Sequence, residues 1–110
     1  MKIYYREKSG GIEILRCFGI ESRVEIPGMI DDKLVISAAP YAFSSHMDEK
    51  EELKNASLWE VSEGLGFGRE EHVLAGNDVE EIVFPYTLKE IGRYIFYGCG
   101  NLKKLEFLTA

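Results

Sequence analysis

The sequence predicts an α/β fold: a short solenoid with a small parallel ladder, an N-terminal β-hairpin cap and one inserted polar helix. Apolar spacing over residues 79–84 recurs over residues 102–107, alternating β-formers flank a glycine turn near the N-terminus, and a polar run separates these segments. We expect one domain over residues 1–110, composed of a hairpin cap (1–22), a degenerate repeat (23–43), an insertion (44–78) and a clear repeat (79–110).

Composition excludes several functional classes. A chain of 110 residues that is 45% hydrophobic is expected to fold as one globular domain. Its formal net charge of -6 and pI near 4.9 disfavour nucleic acid and anionic membranes, which both attract basic surfaces. The sequence shows neither a secretory signal nor a run of about 20 apolar residues, so a cytoplasmic location without a membrane contact is expected.

The first segment predicts a β-hairpin. Ile3 and Tyr5 alternate with polar neighbours, residues 8–11 supply turn chemistry, and residues 12–18 are rich in β-formers. A short strand is expected at residues 23–26, stopped by Pro27, which lacks the N–H that a ladder needs.

A polar helix is predicted inside the insertion. Ser45 and Asp48 have the spacing of a capping box, and residues 46–55 carry only Met47 and Leu53 as large apolar side chains. Such a helix lies on the surface, either as a solvated insertion or as an acidic docking helix.

The clearest signal is a repeat near the C-terminus. One apolar-x-x-apolar-x-apolar spacing occurs twice, at Val79, Ile82 and Phe84, and 23 residues later at Leu102, Leu105 and Phe107. A fixed offset of this size is typical of a solenoid, in which each turn of chain stacks on the one before.

The same register predicts two ion pairs. In a parallel in-register ladder, Glu80 lies beside Lys103 and Glu81 beside Lys104, so both neighbours are opposite in charge.

The repeat resembles the BspA-type leucine-rich repeats of bacteria, whose unit contains a short strand, a proline, an Ile-Gly pair, an aromatic-Ala-Phe element, a cysteine and a leucine. Matching positions are Phe84-Pro85, Ile91-Gly92, Tyr94-Ile95-Phe96, Cys99 and Leu102, with Ile95 where the family usually has alanine. A looser copy is formed by Ile26-Pro27, Ile36 and Tyr41-Ala42-Phe43.

The resemblance implies a curved, strand-lined surface that binds proteins, commonly at cell surfaces. It implies that Phe43 and Phe96 are core residues and that Cys99 is a small buried hydrophobe. The expected interaction face comprises Glu81, Val83, Lys104 and Glu106. The expected self-association edge comprises Leu105, Phe107 and Leu108, because an uncovered last strand invites pairing with another chain.

Residues that could carry chemistry form weak patterns. Cys17 or Cys99 beside His46 or His72 would be needed for a thiol nucleophile, and His46 with Glu49 has helical metal-ligand spacing but offers too few ligands. The glycines of residues 64–68 resemble a phosphate loop, but two carboxylates follow them.

The sequence therefore predicts a non-catalytic interaction or assembly scaffold without a cofactor. Its expected partners are an unidentified protein and a second copy of the chain, or the continuation of a longer repeat array. Two alternatives are an N-terminal fragment of a longer repeat protein and a small Cys/His-dependent hydrolase or metal-dependent enzyme.

Overall fold

The computed structural model of the protein describes residues 1–19, 21–44, 53–60, 72–73, 79–97 and 99–109. The strands are β1 (Lys2–Lys8), β2 (Gly11–Gly19), β3 (Arg23–Glu25), β4 (Met29–Ile30), β5 (Lys33–Ala38), β6 (Ser57–Glu60), β7 (His72–Val73), β8 (Glu81–Phe84), β9 (Glu90–Ile91) and β10 (Lys104–Phe107). They form a seven-stranded mixed sheet and a three-stranded parallel sheet.

The N-terminal hairpin is confirmed. Strands β1 and β2 pair antiparallel from Lys2 opposite Phe18 to Lys8 opposite Gly11. Ser9 and Gly10 connect them with φ angles of 51° and 80°. Positive φ at both turn residues gives the twist that two-residue hairpins favour.

The hairpin forms the centre of the larger sheet rather than only a cap. The strands of this sheet run in the order β4-β5-β2-β1-β6, and β7 pairs with β2 and β9 with β5 outside this order. Strand β2 is parallel to β5, and β5 is parallel to β9. The result is a second parallel ladder, which the sequence did not predict.

The smaller sheet contains the repeat. Strands β3, β8 and β10 are parallel, with β8 in the middle. Leu105 pairs with Ile82 and Phe107 with Phe84, which confirms the 23-residue offset. Val24 pairs with Ile82 on the other side, so the looser first copy joins the same ladder.

The predicted α/β class is wrong. The described residues form strands and turns and contain no helix, and most strands belong to the mixed sheet rather than to a small ladder. In the turns after β5 and β9, Tyr41 and Tyr94 have left-handed φ angles of 61° and 56°, so neither turn continues as a right-handed helix.

The inserted helix predicted over residues 46–55 lies mostly outside the described residues. Its last three positions, residues 53–55, form a turn, and Asn55 there has a φ of 65°. Asparagine adopts this left-handed conformation more readily than most residues.

The core lies between the two sheets. It draws side chains from both of them and from the turns that follow β5 and β9, chiefly Ile12, Ile14, Val35, Phe43, Val24, Ile82, Phe84 and Ile95. The Phe84 ring contacts the rings of Phe43 and Phe96, with centroids 5.9 and 6.2 Å apart.

Burial differs between the two phenylalanines expected in the core. Phe43 is fully buried, as predicted, but Phe96 is only partly buried, so that expectation is wrong. The Ala42 carbonyl accepts a hydrogen bond from the Cys17 amide on one side, and the Phe43 amide donates to Ile95 on the other. Phe43 thus lies in a middle layer of chain, whereas Phe96 lies in the layer beyond it.

Candidate interaction surface

A row of ion pairs crosses the three-stranded sheet. Register places Glu81 of β8 between Arg23 of β3 and Lys104 of β10. The Glu81 carboxylate lies 3.5 Å from Arg23 Nε and 3.5 Å from Lys104 Nζ. In-register pairing sets the same position of successive strands side by side. At this position the three side chains alternate in charge, so each cation has the carboxylate as its neighbour.

Both ion pairs expected from the register are present. Lys103 Nζ lies 3.5 Å from Glu80 and Lys104 Nζ lies 3.5 Å from Glu81. Both lysines are largely exposed, so each pair contributes only a few tenths of a kcal/mol to roughly 1 kcal/mol. Their main effect is to favour this register over others.

We name the exposed charged side of this sheet the ladder face, defined by Arg23, Glu25, Glu81, Lys104 and Glu106. Arg23 Nη1 also donates to Glu25 Oε1 over 3.0 Å. Arg23 and Glu25 were not predicted for this face, although the loose copy at Ile26-Pro27 places both in register with Glu81 and Val83.

Val83, expected on this face, is only 2% exposed. It pairs with Glu25 on one side and Glu106 on the other. Val83 therefore presents almost no surface. The accessible side chains of this face are charged, and the valine lies buried beneath them.

The side chains expected at the self-association edge are exposed. Leu105, Phe107 and Leu108 are 39%, 51% and 48% exposed. Leu105 and Phe107 project from the same side of the sheet as their buried neighbours Ile82 and Phe84, and the rings of Phe107 and Phe84 stack at 5.2 Å. This end of the apolar core is therefore accessible to water.

A second polar cluster surrounds the buried carboxylate of Glu13 on β2. It accepts hydrogen bonds from Arg6 Nε at 2.8 Å, Lys8 Nζ at 3.0 Å and Ser37 Oγ at 2.9 Å. Lys8 also bonds Glu90 at 3.1 Å. The sequence contains no local pattern that predicts this cluster, since its members come from four separate strands.

Burial alone raises the pKa of Glu13, but hydrogen bonds from Lys8, Ser37 and Arg6 outweigh it and lower the pKa below its ordinary value. Glu13 is consequently ionised and fully engaged as an acceptor. The carboxylate joins β2 to β1 and β5, while Lys8 extends the cluster to Glu90 of β9. A carboxylate engaged in this way is poorly suited to proton transfer.

A cluster of three tyrosines lies on the turns. The rings of Tyr41 and Tyr94 stack at 5.4 Å, and Tyr97 meets both edge-on at 6.5 and 6.4 Å. Tyr41 and Tyr94 occupy the same position in the two repeat copies. This correspondence is the feature of the sequence from which their contact could have been predicted.

The residues considered for chemistry are scattered. Cys17 is fully buried, and burial raises the pKa of its thiol. The Cys99 thiol, expected to be buried, is partly exposed and donates to the Phe43 carbonyl over 3.4 Å. The histidine and glutamates at residues 46, 49, 70 and 71 lie outside the described residues, while His72 belongs to β7.

Among the described residues, no helix is long and apolar enough to cross a membrane. The same residues contain no group of three His, Cys, Asp or Glu side chains that could hold a metal ion.

Comparison with known proteins gives a likeness of fold. No protein-family model and no curated protein matches the chain. One solved structure, the crystal structure of the T. pallidum leucine-rich repeat protein TpLRR, matches at 22% sequence identity with a TM-score of 0.63. The match covers 97% of this chain and 36% of TpLRR, so the chain corresponds to about a third of that protein's length. In its fold, this chain is similar to a bacterial leucine-rich repeat protein.

Proposed function

We propose that the protein is a non-catalytic interaction scaffold that binds a protein partner through the ladder face. The observation that carries this proposal is the in-register alignment of β3, β8 and β10, which presents charged side chains from three strands on one side. A rigid sheet positions such side chains with little loss of conformational entropy on binding.

The partner that fits this face is basic. Glu81 lies between the two cations of the face, Arg23 and Lys104, and Arg23 also pairs with Glu25. The five side chains sum to three carboxylates and two cations, and the whole chain carries -6. We expect lysine or arginine side chains of the partner to meet Glu25 and Glu106, with binding that weakens as salt rises.

The state of the buried ionisable groups supports a non-catalytic role. Glu13 is held ionised by three donors, and the thiol of Cys17 is buried with a raised pKa. Neither group has the exposure and poised pKa of a catalytic base or nucleophile. We further propose a cytoplasmic location, in line with a sequence whose two cysteines are too few for a disulfide framework.

A second hypothesis is that the chain forms one part of a longer repeat array. It is favoured by the match to only 36% of TpLRR and by the exposed outer layer, including Phe107. In that case the ladder face would continue onto further strands, with the same alternation of charge.

The test compares two charge reversals on exposed glutamates. A partner captured from source cells would be identified, purified and titrated against wild type, Glu25→Lys and Glu60→Lys. We expect Glu25→Lys to weaken binding about tenfold, because it places a cation against a basic partner. Glu60, on β6 of the other sheet, is the matched control and should bind like wild type. Equal affinity for all three chains would exclude the ladder face as the binding surface.

A further inference from the structure

The outer edge of β10 pairs with no other strand that the structure describes. Within the described residues β10 is bonded to β8 alone. The amides of Lys103 and Lys104 both donate to the carbonyl of Glu80, the residue before β8, and the Leu108 amide donates to the Phe84 carbonyl at the end of β8. Because backbone groups alternate between the two edges of a strand, those of Leu105 and Phe107 point to the outer edge.

The side chains of Leu105 and Phe107 also favour pairing at that edge. Leu105 and Phe107 continue the apolar columns of Ile82 and Phe84 but remain 39% and 51% exposed. A strand added at this edge would cover them and satisfy the backbone groups at the same time.

We propose that β10 pairs antiparallel with β10 of a second copy, with the two-fold axis at Leu105. In this register the Leu105 residues of the two copies exchange both of their N–H···O bonds. Lys104 of each copy then lies opposite Glu106 of the second copy, in a non-hydrogen-bonded pair where Cα atoms are only about 4.5 Å apart. The dimer thus gains two opposite-charge contacts beside a central leucine pair.

Neighbouring positions of the two-fold axis give less favourable pairing. An axis between two residues would set an outward-pointing backbone against an inward-pointing one, which removes the hydrogen bonds. An axis at Lys104 places two lysines in direct opposition, and an axis at Glu106 does the same with two glutamates. Charge and backbone direction together favour an axis at Leu105 over these neighbouring axes.

Head-to-tail stacking is also disfavoured. If β3 of a second copy extended the existing parallel ladder beyond β10, Arg23 of that copy would lie beside Lys104. Glu25 of that copy would lie beside Glu106. Both contacts join like charges, so the geometry favours a closed pair over an open filament.

This inference does not rest on the proposed binding of a basic partner, although Lys104 and Glu106 belong both to the ladder face and to β10. The two proposals are tested at different residues, Glu25 on β3 for partner binding and Lys104 and Glu106 on β10 for dimerisation. A monomeric protein that still bound its partner through Glu25 would overturn the dimer alone, and a dimer without such binding would overturn only the proposed function.

The experiment measures molar mass by light scattering over a concentration series from roughly 10 µM to 1 mM. Wild type should shift from monomer to dimer and no further. Lys104→Glu and Glu106→Lys should each weaken dimerisation about tenfold or more, because like charges then face each other twice. An equimolar mixture of the two variants should dimerise again. In the mixed pair one β10 strand carries two carboxylates and the other carries two ammonium groups, so opposite charges meet at both contacts.

Arg23→Glu is the control for contacts within one chain. It makes the same charge change on the same face and breaks an ion pair with Glu81, but it lies on β3. It should dimerise like wild type, with folding of every variant verified by circular dichroism. A monomeric wild type at the highest concentration, a growing filament, or a mixture that stays monomeric would each overturn the proposed pairing.

Discussion

Tyr41 and Tyr94 hold the same position in the two repeat copies, share a left-handed backbone and stack on each other at 5.4 Å with 26° between the rings. The Tyr41 amide also donates to the Arg93 carbonyl. A tyrosine in this conformation costs roughly 1–2 kcal/mol, which the layer-to-layer contact must offset. The stack therefore links successive layers of chain outside the core.

The stack should be measurable by a double-mutant cycle. Tyr41→Asn and Tyr94→Asn keep a residue that tolerates the left-handed conformation but remove the ring. We expect a coupling free energy of about 0.5–1.5 kcal/mol from chemical denaturation. A control cycle pairs Tyr41 with the exposed Tyr86 and should give no coupling. Equal coupling in both cycles would contradict a direct ring contact.

The phenylalanines should rank by their burial. Phe84→Ala removes a fully buried ring that contacts Phe43, Phe96 and Phe107, and should cost about 3–5 kcal/mol of unfolding free energy. Phe96→Ala should cost less, and the half-exposed Phe107→Ala least. Urea unfolding at low protein concentration measures all three. A larger loss at Phe96 than at Phe84 would mean that the core is centred elsewhere.

Gly92 should tolerate no side chain. A Cβ there would lie 2.2 Å from the Pro40 nitrogen and 2.5 Å from the Ala39 carbonyl carbon, both of them backbone atoms that cannot easily move. Gly92→Ala should therefore destabilise the protein by about 3 kcal/mol. The matched control is Gly100→Ala, whose Cβ meets no described atom within 4 Å. Thermal melts of the two variants should separate clearly, and similar melts would contradict the close stacking of these layers.

Stability should fall in acid partly through Glu13. Its pKa is lower in the folded protein than its ordinary value of 4.5, so the folded state binds fewer protons than the unfolded chain in that range. The stabilisation is present above the ordinary pKa of 4.5 and is lost as the pH falls through the lower pKa of the folded state. Urea midpoints measured between about pH 7 and pH 3 should show a shallower acid slope for Glu13→Gln than for wild type.

The exposed carboxylate of Glu60 supplies the control for that slope. Glu60→Gln should follow the wild-type midpoints throughout. If Glu13→Gln also followed them, the hydrogen-bonded cluster would not be the source of the pH dependence.

The two thiols should differ in reactivity. Cys17 is fully buried with a raised pKa, whereas Cys99 is partly exposed. A Cys17→Ser variant should react with an aromatic disulfide reagent in the native state, and a Cys99→Ser variant only on unfolding. Absorbance of the released thiolate follows both reactions. Faster native labelling of Cys17 would show that β2 opens readily.

Local sequence determined the elements whose signals are contiguous. Ser9 and Gly10 both have positive φ angles in the turn of the hairpin, and the hairpin forms around them as expected. The apolar spacing shared by residues 79–84 and 102–107 fixed the register of β8 and β10, because a shift of one residue would turn the whole apolar set towards water. The ion pairs of Glu80 and Glu81 followed from that register.

Tertiary structure decided what depends on neighbouring layers. Repeated positions have a similar local sequence but different surroundings, so Phe43 in a middle layer is fully buried and Phe96 in the next layer only partly. Val83 matched an exposed position by alternation, yet it is buried between the strands that carry Glu25 and Glu106. The Glu13 cluster joins residues of four strands and has no local pattern at all. Local propensity specifies turns and strand register, whereas burial and polar contacts depend on which segments the fold brings together.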